Sequence, residues 1–291
     1  MLPGMAPSPR IAIVGPGNLG TALGLALRRA GFGIDSVIAR PGASSLPKAR
    51  LLAKRLGTHA TTQADQTNAD LFWLCVPDSQ IREASRLLAN QRIWKGLVVL
   101  HSSGALASDE LQALRAKGAS VASVHPLMTF VGRSQPSFAG VPFALEGDQA
   151  AVRVAQQIVL RLGAQAYPIR KHDKSAYHAW GTFASPLLTA LLATTEKVAR
   201  LAGVPADESR KRMIPILLQT IANYAAFGAP GAFSGPIIRG DVETVKHHLR
   251  ALRKAPVARD VYSSLVRAAL EYLPAKNSAA LAKATRRTPA S

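Results

Sequence analysis

The sequence has one cysteine, few aromatic residues and no long apolar run. The single cysteine, Cys75, excludes a disulfide framework and any metal site built on several thiolates, and it indicates a reducing compartment. The longest uncharged run, residues 179–195, contains glycine, proline and several threonines. It falls short of the roughly 20 strongly apolar residues that a membrane span needs. We therefore expect a cytoplasmic protein with no membrane segment and no metal site.

Acidic residues are also scarce, because 17 Asp and Glu stand against 36 Lys and Arg, which gives a formal net charge of +19. The basic residues are spread over both halves of the chain and form no run of five like charges. Binding of nucleic acid by stacking needs basic side chains interleaved with aromatic ones, and aromatic residues make up only 5% of this chain. The charge therefore predicts a basic surface that attracts small anionic ligands, since a nucleic-acid partner would require a continuous basic face.

Two sequence patterns divide the chain. Up to about residue 169, short β-branched runs alternate with helical stretches, an order typical of β-α-β units and a parallel sheet. From residue 171 onward only helical patterns remain, including a long helix over 175–201 that Pro186 should kink or break. We predict an α/β domain with a doubly wound parallel sheet over residues 1–168, followed by an all-α domain over residues 169–291.

A glycine-rich loop follows the first predicted strand, Ile11–Val14, and opens a helix. In the pattern G-x-G-x-x-G, the first glycine makes a tight turn and the second lets the backbone approach a pyrophosphate. The third lets the helix pack closely against the strand. The N-terminus of the helix then offers unpaired N–H groups to the phosphates. The predicted cofactor-binding residues of this loop are Gly15, Pro16, Gly17, Asn18, Leu19 and Gly20.

The residue after the second predicted strand bears on the choice between NAD and NADP. Folds that bind NAD carry a carboxylate about 20 residues beyond the glycines, where it accepts a hydrogen bond from the ribose 2′-hydroxyl. Here that position holds Arg40, and Ser44 follows it. An arginine suits a 2′-phosphate, so we predict NADP rather than NAD, with a merely solvated Arg40 as the alternative.

The ends of the later strands should supply the rest of the site, because ligands of open α/β sheets lie outside the carboxyl ends of the strands. We expect some of these residues to flank the cofactor and others to bind an anionic substrate through hydroxyl and N–H groups. A buried, structural histidine is the alternative for His125. The predicted cofactor contacts are Val76, Pro77 and His101, and the predicted substrate contacts are Ser102, Ser103, Gly104 and His125.

Two candidate catalytic residues, Lys174 and His178, begin the helical half of the chain. They are four residues apart and so share one face of a helix, with Tyr177 beside them. A hydride-transfer reaction needs a proton source at the reacting group, and each of these side chains can supply one. An ordinary polar helix start is the alternative interpretation, and the spacing does not separate the two.

These motifs together resemble a known family, the uncharacterised NAD(P)-dependent oxidoreductases that join a Rossmann-like domain to the domain DUF2520. That family is similar to 6-phosphogluconate dehydrogenases and pyrroline-5-carboxylate reductases. The resemblance implies NAD(P) binding and dimerisation through the helical domain. It places Lys174 on a lysine position that serves the reacting carbonyl, with His178 where an asparagine would stand. The motifs are Gly15–Gly20, Val76–Asp78, His101–Gly104, His125–Phe130, Lys174–His178 and Gly235–Asp241.

The last of these motifs has no assigned chemistry in the family. We expect either that Arg239 pairs with Asp241 to fix a turn, or that Arg239 reaches an anionic substrate. The function predicted for the whole chain is an NADP-dependent oxidoreductase that acts on a small anionic carbonyl, hydroxyl or imine compound, as a homodimer. The alternative is a non-catalytic NADP-binding regulator, and the two differ in whether Lys174 points into the site.

Overall fold

The computed structural model describes residues 8–40, 45–132, 134 and 136–286. Contacts between residues divide the chain into two compact units, Met1–Phe183 and Ala184–Ser291. The division predicted from the sequence, between residues 168 and 169, stays a prediction about functional domains. No helix among the described residues is both long and apolar enough to cross a membrane.

The first unit is built on a sheet of eight strands, in the order β3-β2-β1-β4-β5-β6-β7-β8. Neighbouring strands are parallel from β3 to β6; β7 then runs antiparallel to β6, and β8 is parallel to β7. The doubly wound, mostly parallel sheet predicted from the sequence is thereby confirmed. The strands are β1 Ile11–Val14, β2 Ile34–Ile38, β3 His59–Thr61, β4 Leu71–Leu74, β5 Val98–His101, β6 Ser120–Pro126, β7 Pro142–Gly147 and β8 Gln165–Pro168.

Helices cover both faces of this sheet. Successive side chains of a strand point to opposite faces, so Ile11 and Ile13 pack in one apolar cluster while Ala12 and Val14 pack in the other. Short 3₁₀ turns lie at residues 108–111 and 171–173. The helices are α1 Asn18–Arg29, α2 Ser45–Leu56, α3 Asp78–Ala89, α4 Gln112–Arg115, α5 Gln149–Arg161 and α6 Lys174–Thr182.

The described part of the second unit is helical, as predicted. The expected disturbance at Pro186 is a π-helical turn, Phe183–Leu187, because proline lacks the N–H that a regular helix would use there. Gly228, with φ of 68°, interrupts the long helix α8. The helices are α7 Leu188–Leu201, α8 Ala206–Ala232, α9 Pro236–Arg239, α10 Val242–Ala251, α11 Pro256–Tyr272 and α12 Ser278–Thr285.

Two elements have no counterpart in the sequence-based prediction. The edge strand β3 has only three residues, too few to show an alternating pattern, and it forms through its pairing with β2. Helix α12 has only eight residues. It forms because Leu281 is fully buried in a cluster with Val245 and Leu249 of α10.

Candidate active site

Two glycines of the loop between β1 and α1 are required by the packing of the protein itself. Gly15 has φ of +103°, and a Cβ atom there would lie 2.9 Å from both the carbonyl oxygen of Cys75 and Cγ1 of Val76. A Cβ atom on Gly20 would overlap the carbonyl oxygen of Gly15. The turn between strand and helix therefore closes only with glycine at both positions.

Gly17 is different, because nothing in the protein crowds it. The nearest atom to a Cβ placed there is the carbonyl oxygen of Cys75, at 3.8 Å, and its φ of −74° and ψ of −172° suit any residue. Gly17 caps α1 without a side-chain hydrogen bond, and the first turn of α1 contains no acidic residue. The open surface at Gly17 and the uncapped N–H groups of α1 fit a bound pyrophosphate.

The other residues of the loop have distinct surroundings. Pro16 lines the cleft beside the loop, while Leu19 packs against the apolar core. The side-chain amide of Asn18 donates a hydrogen bond to the carbonyl oxygen of Phe130, at 3.2 Å. Asn18 therefore ties the loop to the segment that follows β6.

The loop borders a cleft of about 290 Å³. Val76 and Pro77 line it beside the glycines, and Arg40 lines it at the end of β2. Ser45 and Lys48, at the start of α2, add a hydroxyl and a second cation beside Arg40. Ser44 lies outside the described residues. Two cations and a hydroxyl group at the end of β2 form a suitable environment for a phosphate dianion.

The turn after β5, residues 102–104, is held by Ser103, whose polar atoms are all bonded within the protein. Its N–H donates to Nδ1 of His101 at 3.1 Å, and its hydroxyl donates to Oδ2 of Asp78 at 2.7 Å. Its carbonyl oxygen accepts from Nζ of Lys174 at 3.1 Å and from Oγ of Ser123 at 3.2 Å. These bonds give Ser103 a positioning role, and its predicted contact with substrate stays a prediction.

His101 and Ser102, which precede Ser103, differ in their surroundings. Nε1 of Trp73 donates to Oγ of Ser102 at 2.8 Å, which leaves the hydroxyl proton of Ser102 free to donate. The His101 ring is fully buried, and its Nε2 lies 3.1 Å from the carbonyl oxygen of Ala107. Burial lowers the pKa of His101 to about 4, so this ring is neutral and bonded to backbone at both nitrogens. His101 does not line the cleft, so its predicted contact with the cofactor stays a prediction.

Strand β6 and helix α6 contact each other through two pairs of side chains. Ser123 and His125 are two residues apart and so share a face of β6, while Lys174 and Tyr177 are three apart and share a face of α6. Nζ of Lys174 donates to Oγ of Ser123 at 2.7 Å, and Nδ1 of His125 lies 2.8 Å from the hydroxyl of Tyr177. Helix α6 therefore packs on the sheet through the face that carries Lys174 and Tyr177, and His178 is exposed.

Lys174 is fully buried and has no ion pair among the described residues. Burial lowers the pKa of its ammonium group from 10.5 to about 8, and the more distant carboxylates of Glu146 and Asp78 partly oppose the shift. Glu146 is itself buried, where it accepts hydrogen bonds from the N–H and hydroxyl groups of Ser108. An unpaired buried ammonium destabilises a fold, and such groups are common in functional sites.

Gly104 brings two imidazole rings together. A Cβ atom on Gly104 would lie 2.8 Å from Nε2 of His125 and 2.8 Å from Cδ2 of His178, so only glycine admits both rings. The ring centroids of His125 and His178 are 6.4 Å apart. His178 is exposed, whereas burial, followed by the charge of Lys174, lowers the pKa of His125 to about 3. His178 is thus the more accessible of the two.

The structure gathers most of the predicted site residues within the first unit, around the glycine loop and the 102–104 turn. Arg239 belongs to the second unit, where it is an exposed residue at the end of α9. Asp241 caps α10 by accepting hydrogen bonds from the N–H and hydroxyl groups of Thr244, at 3.1 and 2.6 Å. That cap fixes the turn, and the contact of Arg239 with substrate stays a prediction.

Sequence analysis did not identify Lys48, Asp78 or Ser123 as site residues. Ser123 carried a usable signal, because it is a polar residue between the apolar residues Ala122 and Val124, and in the structure it is fully buried. Lys48 had a weaker one, as a cation in the first turn of the helix that follows Arg40. Asp78 belongs to the Val76–Asp78 motif, but its partner Ser103 is 25 residues away in the sequence, so its role was not visible there.

Two family models match the chain. A Rossmann-like domain matches residues 5–126, and the Domain of unknown function (DUF2520) matches residues 141–269. The chain joins a Rossmann-like domain to a DUF2520 domain. This confirms the resemblance found in the sequence. Comparison with curated proteins finds no match.

Solved structures similar to this chain include a Bacteroides fragilis protein described as an NADP oxidoreductase, with 23% identity over 90% of this chain and 97% of that chain and a TM-score of 0.75. A reductive aminase from Aspergillus terreus, in complex with NADPH, has 18% identity over 96% and 100%, with a TM-score of 0.65. An imine reductase from Myxococcus stipitatus, in complex with NADP+, has 19% identity over 90% and 94%, with a TM-score of 0.59. At these identities the similarity establishes the fold of this Rossmann-like and DUF2520 chain.

Proposed function

We propose that this protein is an NADP-dependent oxidoreductase that transfers hydride to or from a small anionic carbonyl, hydroxyl or imine compound. The observation that carries the proposal is the uncrowded Gly17 at the uncapped start of α1, since the protein itself has no need of glycine there. NADPH and NADP+ in the aminase and imine reductase structures support the cofactor. A bound reduced nicotinamide would supply the hydride.

Different residues of the chain would bind different parts of the cofactor. The N–H groups at the start of α1 would hold the pyrophosphate, next to Gly17. Arg40, Lys48 and the hydroxyl of Ser45 would hold the 2′-phosphate, since Ser45 Oγ is buried and has no hydrogen-bond partner among the described residues. Val76 and Pro77 would flank the cofactor further along the cleft.

At the reacting end, the exposed His178 would exchange the proton that accompanies hydride transfer. Lys174 would act mainly by holding the 102–104 turn, because its ammonium group bonds the Ser103 carbonyl and has no solvent-exposed surface. A proton-donor role for Lys174 stays a prediction. A regulator that only senses NADP has no use for a destabilising buried lysine, so its presence supports an enzyme.

The function can be tested by following NADPH absorbance with a panel of small oxo acids, ketones and imines, and by mass spectrometry of ligands retained through purification. We expect turnover of at least one compound that carries a carboxylate. Tight NADPH binding with no turnover across the panel would support the regulator instead, and absence of NADPH binding would overturn both.

The Arg40→Asp variant should lose the preference for NADPH over NADH. A charge-assisted contact to phosphate contributes about 1.5–3 kcal/mol, so NADPH affinity should fall roughly 10- to 100-fold while NADH affinity changes little. Isothermal titration with both cofactors measures this. Arg50→Asp, the same charge change at an exposed α2 position, is the control and should keep the preference. Equal affinities for both cofactors in the unmodified protein would contradict the assignment.

The second unit should form a homodimer through its helices. Along α8, Ile216, Ile221 and Phe227 are 58–68% exposed, which is unusual for apolar residues of one helix. A second copy of the chain is the partner implied by the family resemblance, through a self-complementary contact. Light scattering at micromolar concentration should give the dimer mass for the unmodified protein and a smaller mass for Ile221→Glu. The control Ile93→Glu, at an exposed position of the first unit, should stay dimeric.

A further inference from the structure

A row of residues crosses the sheet beside the 102–104 turn. His125 of β6 pairs with Ala144 of β7, and Ala144 pairs with Tyr167 of β8. Tyr177 of α6 packs edge-on to both aromatic neighbours, with ring centroids 5.4 Å from His125 and 6.3 Å from Tyr167. The small side chain of Ala144 separates the two outer members of the row. Tyr177 therefore connects His125 with Tyr167.

The hydroxyl of Tyr177 contacts Nδ1 of His125 at 2.8 Å, and the hydrogen can belong to either atom. The surroundings of the Tyr177 hydroxyl decide between the two arrangements. Tyr177 is buried, and among the described residues its hydroxyl has no hydrogen-bond partner other than Nδ1 of His125. If His125 donated to Tyr177, the Tyr177 proton would be left buried without an acceptor.

In the opposite arrangement Tyr177 donates to Nδ1 of His125, and its proton is paired. Because burial of an unpaired polar hydrogen is unfavourable, this second arrangement is the stable one. Burial raises the pKa of Tyr177, so the phenol keeps the proton that it donates.

A neutral imidazole that accepts at Nδ1 carries its proton on Nε2. Nε2 of His125 faces the turn at Gly104 and has no hydrogen-bond partner among the described residues. Burial first, and then the positive charge of Lys174, oppose a positive charge on this ring. His125 therefore presents a fixed N–H donor in a surrounding that disfavours cations.

We propose that His125, oriented by Tyr177, donates a hydrogen bond from Nε2 to the reacting group of the substrate, and that this group is a carbonyl oxygen rather than an iminium cation. The inference rests on the proposed function and narrows its substrate class. An N–H donor can bind only an atom with a free lone pair, and a protonated iminium nitrogen has none. The donor would stabilise the negative charge that develops on oxygen as hydride arrives.

The first test needs no substrate. In full-length protein with ¹⁵N-labelled histidine, His125, assigned from its absence in His125→Gln, should be the neutral Nε2–H tautomer throughout the range of about pH 5.5 to 8. Tyr177→Phe should give a mixture of tautomers. Tyr262→Phe, which removes a hydroxyl 3.0 Å from Nδ1 of His248 in the second unit, should leave the His125 signal unchanged. An Nδ1–H tautomer, or titration of His125 within this range, would overturn the proposal.

The second test compares two replacements of His125 in the enzyme with its carbonyl substrate. The amide nitrogen of glutamine lies near the position of Nε2 and that of asparagine near Nδ1. His125→Gln should therefore keep kcat within about 10-fold, while His125→Asn should lose about 100-fold or more, as expected for loss of a donor to developing charge. NADPH affinity should change little in both. Equal losses in kcat would show that Nε2 donation is not used.

The third test addresses the substrate class directly. A cyclic ketone and an N-alkylated cyclic iminium salt of the same ring size, whose charge is permanent, are offered separately with NADPH. Faster reduction of the ketone is expected, and faster reduction of the iminium salt would refute the substrate class. If NADPH binds but no compound is reduced, the proposed function and the substrate class fail together, whereas the tautomer spectra still decide the orientation of His125.

Discussion

Replacing Gly17 by alanine should weaken NADPH binding by about 100-fold or more and leave the melting temperature nearly unchanged. The added methyl group would occupy the surface that we assign to the pyrophosphate and would hinder charge-assisted hydrogen bonds at the start of α1, each of which contributes about 1.5–3 kcal/mol. The fold should tolerate it, because the nearest protein atom to the new Cβ is 3.8 Å away. Titration calorimetry and thermal unfolding measure the two effects.

The matched control is Gly20→Ala, the same added methyl group three residues later. There the Cβ atom would overlap the carbonyl oxygen of Gly15, so α1 would have to move away from β1. Gly20→Ala should therefore lower the melting temperature as well as NADPH affinity. Normal NADPH affinity in Gly17→Ala would mean that the cofactor does not approach this loop, and the proposed function would lose its main support.

The second large effect is expected for Lys174→Met. Loss of the ammonium group removes one of the two hydrogen bonds that hold the Ser103 carbonyl, and a misplaced site residue can reduce kcat by about 100-fold. NADPH affinity should stay within about twofold, since the cleft beside the glycine loop is separate from this contact. Steady-state kinetics on a substrate from the screen, together with calorimetry, separate the two. An unchanged kcat would remove Lys174 from the site.

The same variant should be more stable than the unmodified protein, by up to about 3 kcal/mol near neutral pH. The pKa of Lys174 falls from 10.5 to about 8 on folding. Below pH 8 Lys174 is therefore protonated in both the folded and the unfolded state, and burial of its charge destabilises the fold most. Between about pH 8 and 10.5 the folded state loses the proton first, and the stability contributed by this group rises with pH. The advantage of Lys174→Met should therefore shrink over that range.

Urea unfolding at several pH values measures this difference directly. The Ser103 carbonyl keeps a hydrogen bond in Lys174→Met, because Ser123 Oγ already donates to it at 3.2 Å. Lys117→Met, at an exposed position of the first unit, is the control and should show no such pH-dependent gain. A Lys174→Met protein less stable than the unmodified one near neutral pH would show that the buried ammonium stabilises the fold.

The sequence by itself determined the sheet, the glycine loop and the order of the two parts of the chain, an α/β part followed by a helical part. These features follow from local patterns: the β-branched runs, the glycine spacing of 15–20 and the helical periodicity after residue 171. The same is true of the shared helix face of Lys174 and His178, because a helix has a fixed repeat. Local rules also anticipated the disturbance at Pro186, which the structure resolves as a π-helical turn.

The partners of those residues were decided only by the tertiary structure. Lys174 meets Ser123 across 51 residues of sequence, and Tyr177 meets His125 across 52. Such contacts depend on the order and register of β6, β7 and β8 and on the packing of α6 against them, which no local pattern encodes. Burial follows from the same packing, and burial sets the charge states of Lys174 and His125. The residue types were visible in the sequence, but their chemistry depends on where the fold removes them from water.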